Sequence, residues 1–318
     1  MTDPNKTQAS FLKWLPSDPQ ATACEVARDA LSSRLEQVPT LLELVAHHGS
    51  EDRDHVRRLR VATRRATTAV NLFHEFASRG TVAQITRDLK KIRKAAGRVR
   101  DLDVLIENVR TRDRESDNLP ALEQRREKAE AKIAKSYQKH IASGRLNKNI
   151  NELLSSLKSP SADKPILRFD EWSISSLSAS GECFFNAWPD SNGSNEDQFL
   201  TLHNFRLQVK KLRYQVELLG AGLKKKKRKK FNRALKLLQT DLGEINDHDV
   251  AIQKTYRWMR NADVEERARL KRQFENEIVA RTDSVMAFQV RWPSASRDKL
   301  QVKFNKMLGR ESQPPSAG

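Results

Sequence analysis

A stripe of basic side chains in the second half of the chain has the residue types and the spacing to bind phosphate. His203, Arg206, Lys210 and Arg213 stand at positions i, i+3, i+7 and i+10. On an α-helix they would share an arc of about 80° and about 15 Å of the axis. A guanidinium offers paired donors to phosphate oxygens, and Lys and protonated His add point charges. The stripe therefore predicts contacts to successive phosphates, although a solvated basic face is the simpler alternative.

The same pattern occurs in the first half of the chain, 146 residues earlier. The equivalents of His203, Arg206 and Lys210 are Arg57, Arg60 and Arg64, and Thr67 stands where the second half has Arg213. Downstream, AGRVRDLDV at 96–104 aligns with LGEINDHDV at 242–250 with the same offset. Because two motifs keep one offset across about 40 intervening residues, the halves share a helix-turn-helix unit without net insertion.

The second helix of each unit is predicted to add further cations. Leu89, Ile92, Leu235 and Leu238 would pack in the core. With the two stripes, the predicted phosphate-binding residues are Arg57, Arg60, Arg64, Arg65, Lys90, Lys91, Arg93, Lys94, His203, Arg206, Lys210, Lys211, Arg213, Tyr214, Arg233 and Lys236. Leu207, Leu212, Val216 and Leu218 are expected to anchor the second-half stripe in the core.

The two G-x-x-x-D-x-D-V segments allow a structural or a chemical interpretation. Gly97 and Gly243 suit a left-handed helix end, and Asp101 and Asp247 suit the N-cap of a following helix. A magnesium site at the D-x-D spacing is the alternative. Since capping explains the acids without a metal, no catalytic residue, metal ligand or cofactor is predicted.

Two further basic features lie outside the stripes. The run KKKKRKK, Lys224–Lys230, lies between the two helices of the second unit and is expected to add long-range attraction for any polyanion; an exposed, mobile connection without a role and a nuclear import signal are the alternatives. His55, His74, His140 and His248 lack metal-ligand spacing and are expected at the surface or at helix ends.

Composition favours a helical protein with an anionic partner. Aromatic residues make up 6% and charged residues 31% of the chain, and the net charge is +18. Apolar residues recur every three to four positions, for example at Ala27, Leu31, Leu35, Val38 and Leu42. No signal-peptide core or membrane-length apolar run occurs, so a soluble cytoplasmic protein without a membrane partner is expected.

The domain organisation follows from the breaks in this apolar rhythm. Residues 1–20 and 309–318 are polar, contain prolines and are predicted to be disordered tails. SPSADKP near 159–170 and a polar gap at 189–197 mark the boundary between halves. The predicted repeats are residues 21–160 and 161–308.

At these motifs the sequence resembles the CHAD family, the conserved-histidine α-helical domain. The resemblance rests on RVATRR at 60–65, on H-x-x-R-x-x-x-K-x-x-R-Y at 203–214 and on the two G-x-x-x-D-x-D-V segments, and it covers roughly residues 20–308. It implies an all-α fold of two four-helix bundles related by a pseudo-twofold axis, with a basic central groove or pore. It also implies non-catalytic binding of inorganic polyphosphate and association with polyphosphate granules. Arg57 departs from the family pattern, which has a histidine there, and Thr67 removes a cation.

Two other functions are compatible with the charge. Nucleic-acid binding is one, but the stripes have almost no interleaved aromatic residues for base stacking, Tyr214 being the exception. An accessory domain of a polyphosphate-processing enzyme is the other, although neither a P-loop nor an E-x-E-x-K signature is present. The oligomeric state and the preferred polymer length are not determined by the sequence.

Overall fold

The fold is all-α in the part of the chain that the computed structural model describes. These residues are 18–49, 51–112, 119–158, 168–189, 195–260 and 262–310. They contain no β-strand beyond a single bridge between Thr22 and Arg168, so the predicted fold class is confirmed at this level. Both predicted tails lie largely outside the described residues, as do 159–167 and 190–194 in the predicted boundary. The grouping into four-helix bundles and the pseudo-twofold axis stay predictions.

The chain divides into two compact units, 1–169 and 170–318. The helices of the first unit are α1 (Ala23–Leu35), α2 (Gln37–His48), α3 (Arg53–Leu72), α4 (Arg79–Arg112), α5 (Leu119–Tyr137) and α6 (Arg145–Ser155). A 3-10 turn, His74–Phe76, joins α3 to α4, and a π-helical turn, Gln138–Ala142, follows α5.

The core of the first unit forms around α4. This helix packs on α3, α5 and α6, while α1 and α2 cover α3. The start of α1 is fixed by a capping box, in which Thr22 and Glu25 satisfy each other's backbone N–H groups. The predicted apolar rhythm of α1 and α2 is confirmed, because all of its positions from Ala27 to Val45 are buried.

The second unit is organised around its own long helix. Its helices are α7 (Phe169–Asn186), α8 (Asn195–Leu218), α9 (Lys225–Met259), α10 (Val264–Arg291) and α11 (Ser294–Leu308), with a 3-10 turn at Gly220–Gly222. Helix α9 packs on α8, α10 and α11. An aromatic core that includes Phe184, Trp188 and Phe205 lies within this unit.

The helix-turn-helix repeat is confirmed by the bounds of its elements. Helices α3 and α8 end at Leu72 and Leu218, the 3-10 turns begin at His74 and Gly220, and α4 and α9 begin at Arg79 and Lys225. Each pair of positions differs by the same 146 residues as the sequence motifs. The two units therefore share this substructure residue by residue.

The predicted helix ends at Gly97 and Gly243 are wrong. Helices α4 and α9 run without a break for 34 and 35 residues, and neither glycine has a positive φ. Asp101 and Asp247 therefore lie inside helices and cap nothing. The helix continues because Val99, Asp103 and Ile106 keep the inward-facing period, and this packing outweighs the cost of an internal glycine, about 1 kcal/mol.

The alternative of a mobile connection at Lys224–Lys230 is also wrong, although every residue of this run except Arg228 is exposed as expected. Lys224 immediately precedes α9, and Lys225–Lys230 form its first turns. Lysine and arginine have high intrinsic helix propensity. Arg228 anchors the segment by donating from Nη1 to the Gly220 carbonyl, and the next residue, Phe231, is buried. The basic run is therefore a helical surface in the second unit and not a loop.

Candidate anion-binding site

The outer end of the first-unit stripe is already paired with an acid. Arg57 is exposed on α3, and its Nε donates to Asp54 Oδ1 at 2.6 Å, one helical turn earlier. This hydrogen bond is the main reason that the pKa of Asp54 is lowered. Arg57 therefore has less of its charge to offer a ligand.

Arg60 occupies a close contact with α4. Its guanidinium lies so near Gly97 that a Cβ built on this glycine would be 2.7 Å from Nη1. Burial lowers the pKa of Arg60, and the charge of Arg64 lowers it further. Asp101 raises this pKa, whereas Arg100 and Arg93 lower it. The Arg60 head is therefore half-buried in a region where cations outnumber acids.

Arg60, Arg64, Arg93 and Arg100 form a set that we name the guanidinium cluster. Burial lowers the pKa of Arg93, and the charge of Arg64 lowers it further, so the cations of α3 and α4 act on one another directly. On α4, Arg93, Gly97 and Arg100 share a face at i, i+4 and i+7. Two helices thus bring four forked donors together, which is a suitable arrangement for phosphate oxygens.

Arg100 is a member of the cluster that the sequence analysis missed. The error follows from ending a helix at Gly97, because only a continuous α4 places Arg100 on the face of Arg93. The i, i+4, i+7 spacing of Arg93, Gly97 and Arg100 was the signal that could have identified it.

The other cations predicted in the first unit have different surroundings. Lys90 and Lys94 are exposed on α4, at about 60° and 100° around the helix from Arg93. Lys91 is exposed but lies about 200° from Arg93, and its charge acts instead on His140. Arg65 is half-buried and has an interaction of its own. Lys91 is thus not brought to the guanidinium cluster.

The stripe of the second unit is only partly available to a ligand. His203 and Lys211 are exposed on α8, and Arg206 and Lys210 are half-buried and have contacts of their own. The Nε of Arg213 lies 3.7 Å from Oε1 of Glu217, whose side chain is buried, and its guanidinium lies 5.3 Å from the centre of the half-exposed Tyr214 ring. Arg213 therefore helps to neutralise an interior acid, which its place in the stripe did not indicate.

The long helix of the second unit does not reproduce the guanidinium cluster. Arg233 and Lys236 are exposed on α9, but Gln239 and Asn246 stand where α4 has Arg93 and Arg100. Apart from its chain neighbours and the nearby backbone of α9, a Cβ on Gly243 would meet no atom of the described residues within 4 Å, so no described guanidinium approaches it as Arg60 approaches Gly97. The two units are similar in fold and different in their cationic surfaces.

The predicted core of these helices is confirmed except at one position. Leu89, Ile92, Leu235 and Leu238 of α4 and α9 are fully buried. On α8, Leu212, Val216 and Leu218 are buried, whereas Leu207 is 48% exposed. Leu207 lies next to Arg206 on the outward side of α8, so the expectation that it anchors the stripe is wrong.

The second aspartate of each D-x-D segment forms an ion pair between helices. Asp103 of α4 is buried and accepts from Arg126 Nε of α5 at 2.6 Å. The equivalent Asp249 of α9 accepts from Arg281 Nη1 of α10 at 2.9 Å. The first aspartates, Asp101 and Asp247, are exposed and lie about 200° around the helix from the second ones. One magnesium ion cannot bridge two carboxylates on opposite faces of a helix.

Two of the four histidines lie beside a carboxylate of another helix. His140 is buried in the π-helical turn, with Nδ1 3.8 Å from Asp88 Oδ1. His248 Nδ1 lies 2.7 Å from Glu277 Oε2.

Within the described ranges, no group of three or more His, Cys, Asp or Glu side chains could hold a metal ion. In the same ranges, no helix is long and apolar enough to cross a membrane.

The chain is similar to known proteins over most of its length. The model of the CHAD domain family matches residues 29–255. The solved CHAD domain from the plant Ricinus communis is 20% identical, with a TM-score of 0.60 over 92% of this chain and 95% of that one. PptA from Streptomyces chartreusis is 13% identical, with a TM-score of 0.52 over 86% of this chain and 99% of that one. No curated protein matches the sequence. Because the family model spans well over half of the residues and includes both repeats of the basic motif, the chain belongs to the CHAD domain family.

Proposed function

We propose that this protein binds inorganic polyphosphate without cleaving it, and that the guanidinium cluster of the first unit is its strongest contact. The observation that carries the proposal is the approach of the Arg60 guanidinium of α3 to Gly97 of α4, on the helix face that also carries Arg93 and Arg100. Membership in the CHAD family, whose resemblance implies polyphosphate, supports this choice of polyanion. A cytoplasmic location at polyphosphate granules belongs to the same proposal.

The electrostatics of the cluster favour an anionic ligand. Like charges held near one another destabilise a protein, and partial burial removes the water that would screen them. A phosphate placed among the guanidiniums would relieve this repulsion and accept charge-assisted hydrogen bonds. The cluster therefore has a free-energy reason to bind an anion, which an ordinary solvated basic helix lacks.

The second unit is proposed to bind polyphosphate through cations of its own. His203, Arg206 and Lys210 lie along α8, and Arg233 and Lys236 are exposed on α9. Only two of these five cations are arginines, so they would contribute attraction with less geometric fixation than the four arginines of the guanidinium cluster. Loss of one of these side chains is therefore expected to cost less than loss of Arg60.

Competition with nucleic acid tests the proposed ligand. Linear polyphosphate is bound to the full-length chain at fixed salt, and duplex DNA or RNA is added at equal phosphate concentration. The proposal requires polyphosphate to stay bound, and displacement by nucleic acid would contradict it. Release of orthophosphate or shorter chains by the purified protein would contradict the non-catalytic part.

Site variants test the proposed contacts. Arg60→Ala is expected to weaken polyphosphate binding by roughly 1.5 to 3 kcal/mol, since one charge-assisted contact is lost. Arg206→Ala and Lys210→Ala should weaken it in the same direction. Arg98→Ala is the matched control, because Arg98 is exposed on α4 about 140° around the helix from Arg93. Equal losses from Arg60→Ala and Arg98→Ala would indicate diffuse attraction and no defined site.

A further inference from the structure

The feature that the proposed function leaves unexplained is the contact between Arg60 and Gly97. The two residues lie on different helices of the first unit, α3 and α4, and Gly97 is buried in the middle of a continuous helix. Glycine is a poor residue for a helix interior, and Gly97 has no positive φ that would require it. A reason for glycine at this position has to come from its surroundings.

The close approach of Arg60 supplies that reason. A Cβ at position 97 would lie 2.7 Å from Nη1 of Arg60, which is too close for any ordinary contact, and its next neighbour would be Cζ of the same guanidinium at 3.9 Å. Apart from Gly97, its chain neighbours and the nearby backbone of α4, no other atom of the described residues lies within 4 Å of that Cβ position. The space that a side chain at position 97 would fill is therefore taken by the Arg60 guanidinium.

The position of this contact matters for the cluster. Arg93 precedes Gly97 by four residues and Arg100 follows it by three, so all three share one face of α4. The Arg60 head thus rests on α4 between the two arginines of that helix. A long side chain that is held in place before binding loses less conformational freedom when the ligand arrives.

We infer that Gly97 is a positioning residue for polyphosphate binding: it provides the seat that holds the Arg60 guanidinium among Arg64, Arg93 and Arg100. This inference rests on the proposed function and adds a residue that itself has no group to offer the polymer. The described part of the second unit has no equivalent contact, because the space beside Gly243 is open. The seat therefore distinguishes the two units and makes the first one the higher-affinity contact.

The experiment compares Gly97→Ala with Gly243→Ala, a matched pair at equivalent positions of the repeat. Polyphosphate affinity is measured at fixed salt by calorimetry, together with the thermal unfolding midpoint of each variant. Gly97→Ala is expected to weaken binding by about three- to tenfold, since the Arg60 head is displaced and must be ordered by the ligand. Its unfolding midpoint should not fall, because alanine favours the helix and the end of a flexible side chain yields to the new methyl group. Gly243→Ala should leave the affinity unchanged.

A double variant separates positioning from a general effect on the helix. In the Arg60→Ala background, Gly97→Ala should change the affinity by less than about twofold, because the group that it displaces is already absent. Additive losses would overturn the inference, as would an unchanged affinity in Gly97→Ala or failure of that variant to fold. If wild type and Arg60→Ala bind polyphosphate differently while Gly97→Ala behaves as wild type, only the inference is overturned. If the wild type does not bind polyphosphate, the proposed function and the inference are both overturned.

Discussion

Asp103 and Arg126 form an ion pair in the interior of the first unit, with 2.6 Å between Oδ1 and Nε and with both side chains at most 6% exposed. Arg126 also donates to Glu130 and to the carbonyl of Gly49. The pair joins α4 to α5, and Asp249 with Arg281 does the same for α9 and α10 in the second unit. The second aspartate of the repeated D-x-D segment is thus a structural residue in both units.

Asp103→Ala is predicted to destabilise the first unit strongly. Removing Asp103 breaks this buried pair but leaves the contact of Arg126 with Glu130, so the cost should lie near the lower end of the roughly 3 to 5 kcal/mol that is typical of a broken buried pair. Asp249→Ala should cost less, because Asp249 is 34% exposed and water can replace part of the contact. Chemical denaturation of both variants measures the difference. Equal costs would contradict the assigned burial, and polyphosphate binding by folded Asp103→Ala should remain.

Asp101→Asn is predicted to strengthen polyphosphate binding. Asp101 is exposed, and it is the acid whose charge acts on Arg60 within the guanidinium cluster. Removing a negative charge near a bound phosphate should increase affinity on the order of threefold at low salt, and less at high salt. Isothermal titration at two salt concentrations provides the measurement. A large loss of binding would contradict the prediction and would indicate that this carboxylate supports the site.

Lys227→Ala is predicted to weaken polyphosphate binding less than Arg60→Ala does. Lys227 is exposed in the first turns of α9, where no acid is present and the positive end of the helix dipole adds to the repulsion. Its loss should mainly lower the slope of log affinity against log salt, by about one or less. The same substitution should slightly raise the midpoint of thermal unfolding at low salt. A loss as large as that of Arg60→Ala would place a principal contact at this basic run.

Stability is predicted to fall in acid because of His140. Burial is the main cause of its lowered pKa; Asp88 raises this pKa, and Arg145, Lys139 and Lys91 lower it. The folded protein therefore keeps this imidazole neutral at pH values where the unfolded chain protonates it, below about 6.5. Because the unfolded state binds more protons there, the free energy of unfolding decreases as the pH falls. Denaturation midpoints at pH 7 and pH 5 measure this decrease, which should be smaller in His140→Gln.

The sequence predicted the features of this protein that depend on local periodicity. The apolar spacing identified Leu212 and Val216 as core residues, and one constant offset identified the repeated helix-turn-helix unit. The prediction that Leu207 is a core residue was wrong because an apolar residue can lie on either edge of a basic stripe. The packing of the partner helix determines which edge is buried. The helical state of Lys225–Lys230 was not predicted, because this basic run has no apolar period that would indicate a buried face.

The features that depend on a distant partner were not predicted. Gly97 has the residue type of a helix end, and its actual role requires Arg60, which lies on another helix. Asp103 has the residue type of a cap or a metal ligand, and its role requires Arg126, 23 residues further along. In both cases the local sequence supports two interpretations, and a tertiary contact selects between them.

The unbroken course of α4 fixes a distance as well as a direction. Arg100 follows Arg93 by seven positions of continuous α-helix, so their backbone positions are about 10 Å apart. This distance cannot adjust to the shape of a ligand. A chain of freely rotating phosphates can adapt its own shape to that interval, whereas a stiff duplex presents intervals of its own. The rigidity of one helix can thus select for flexibility in the polymer that it meets.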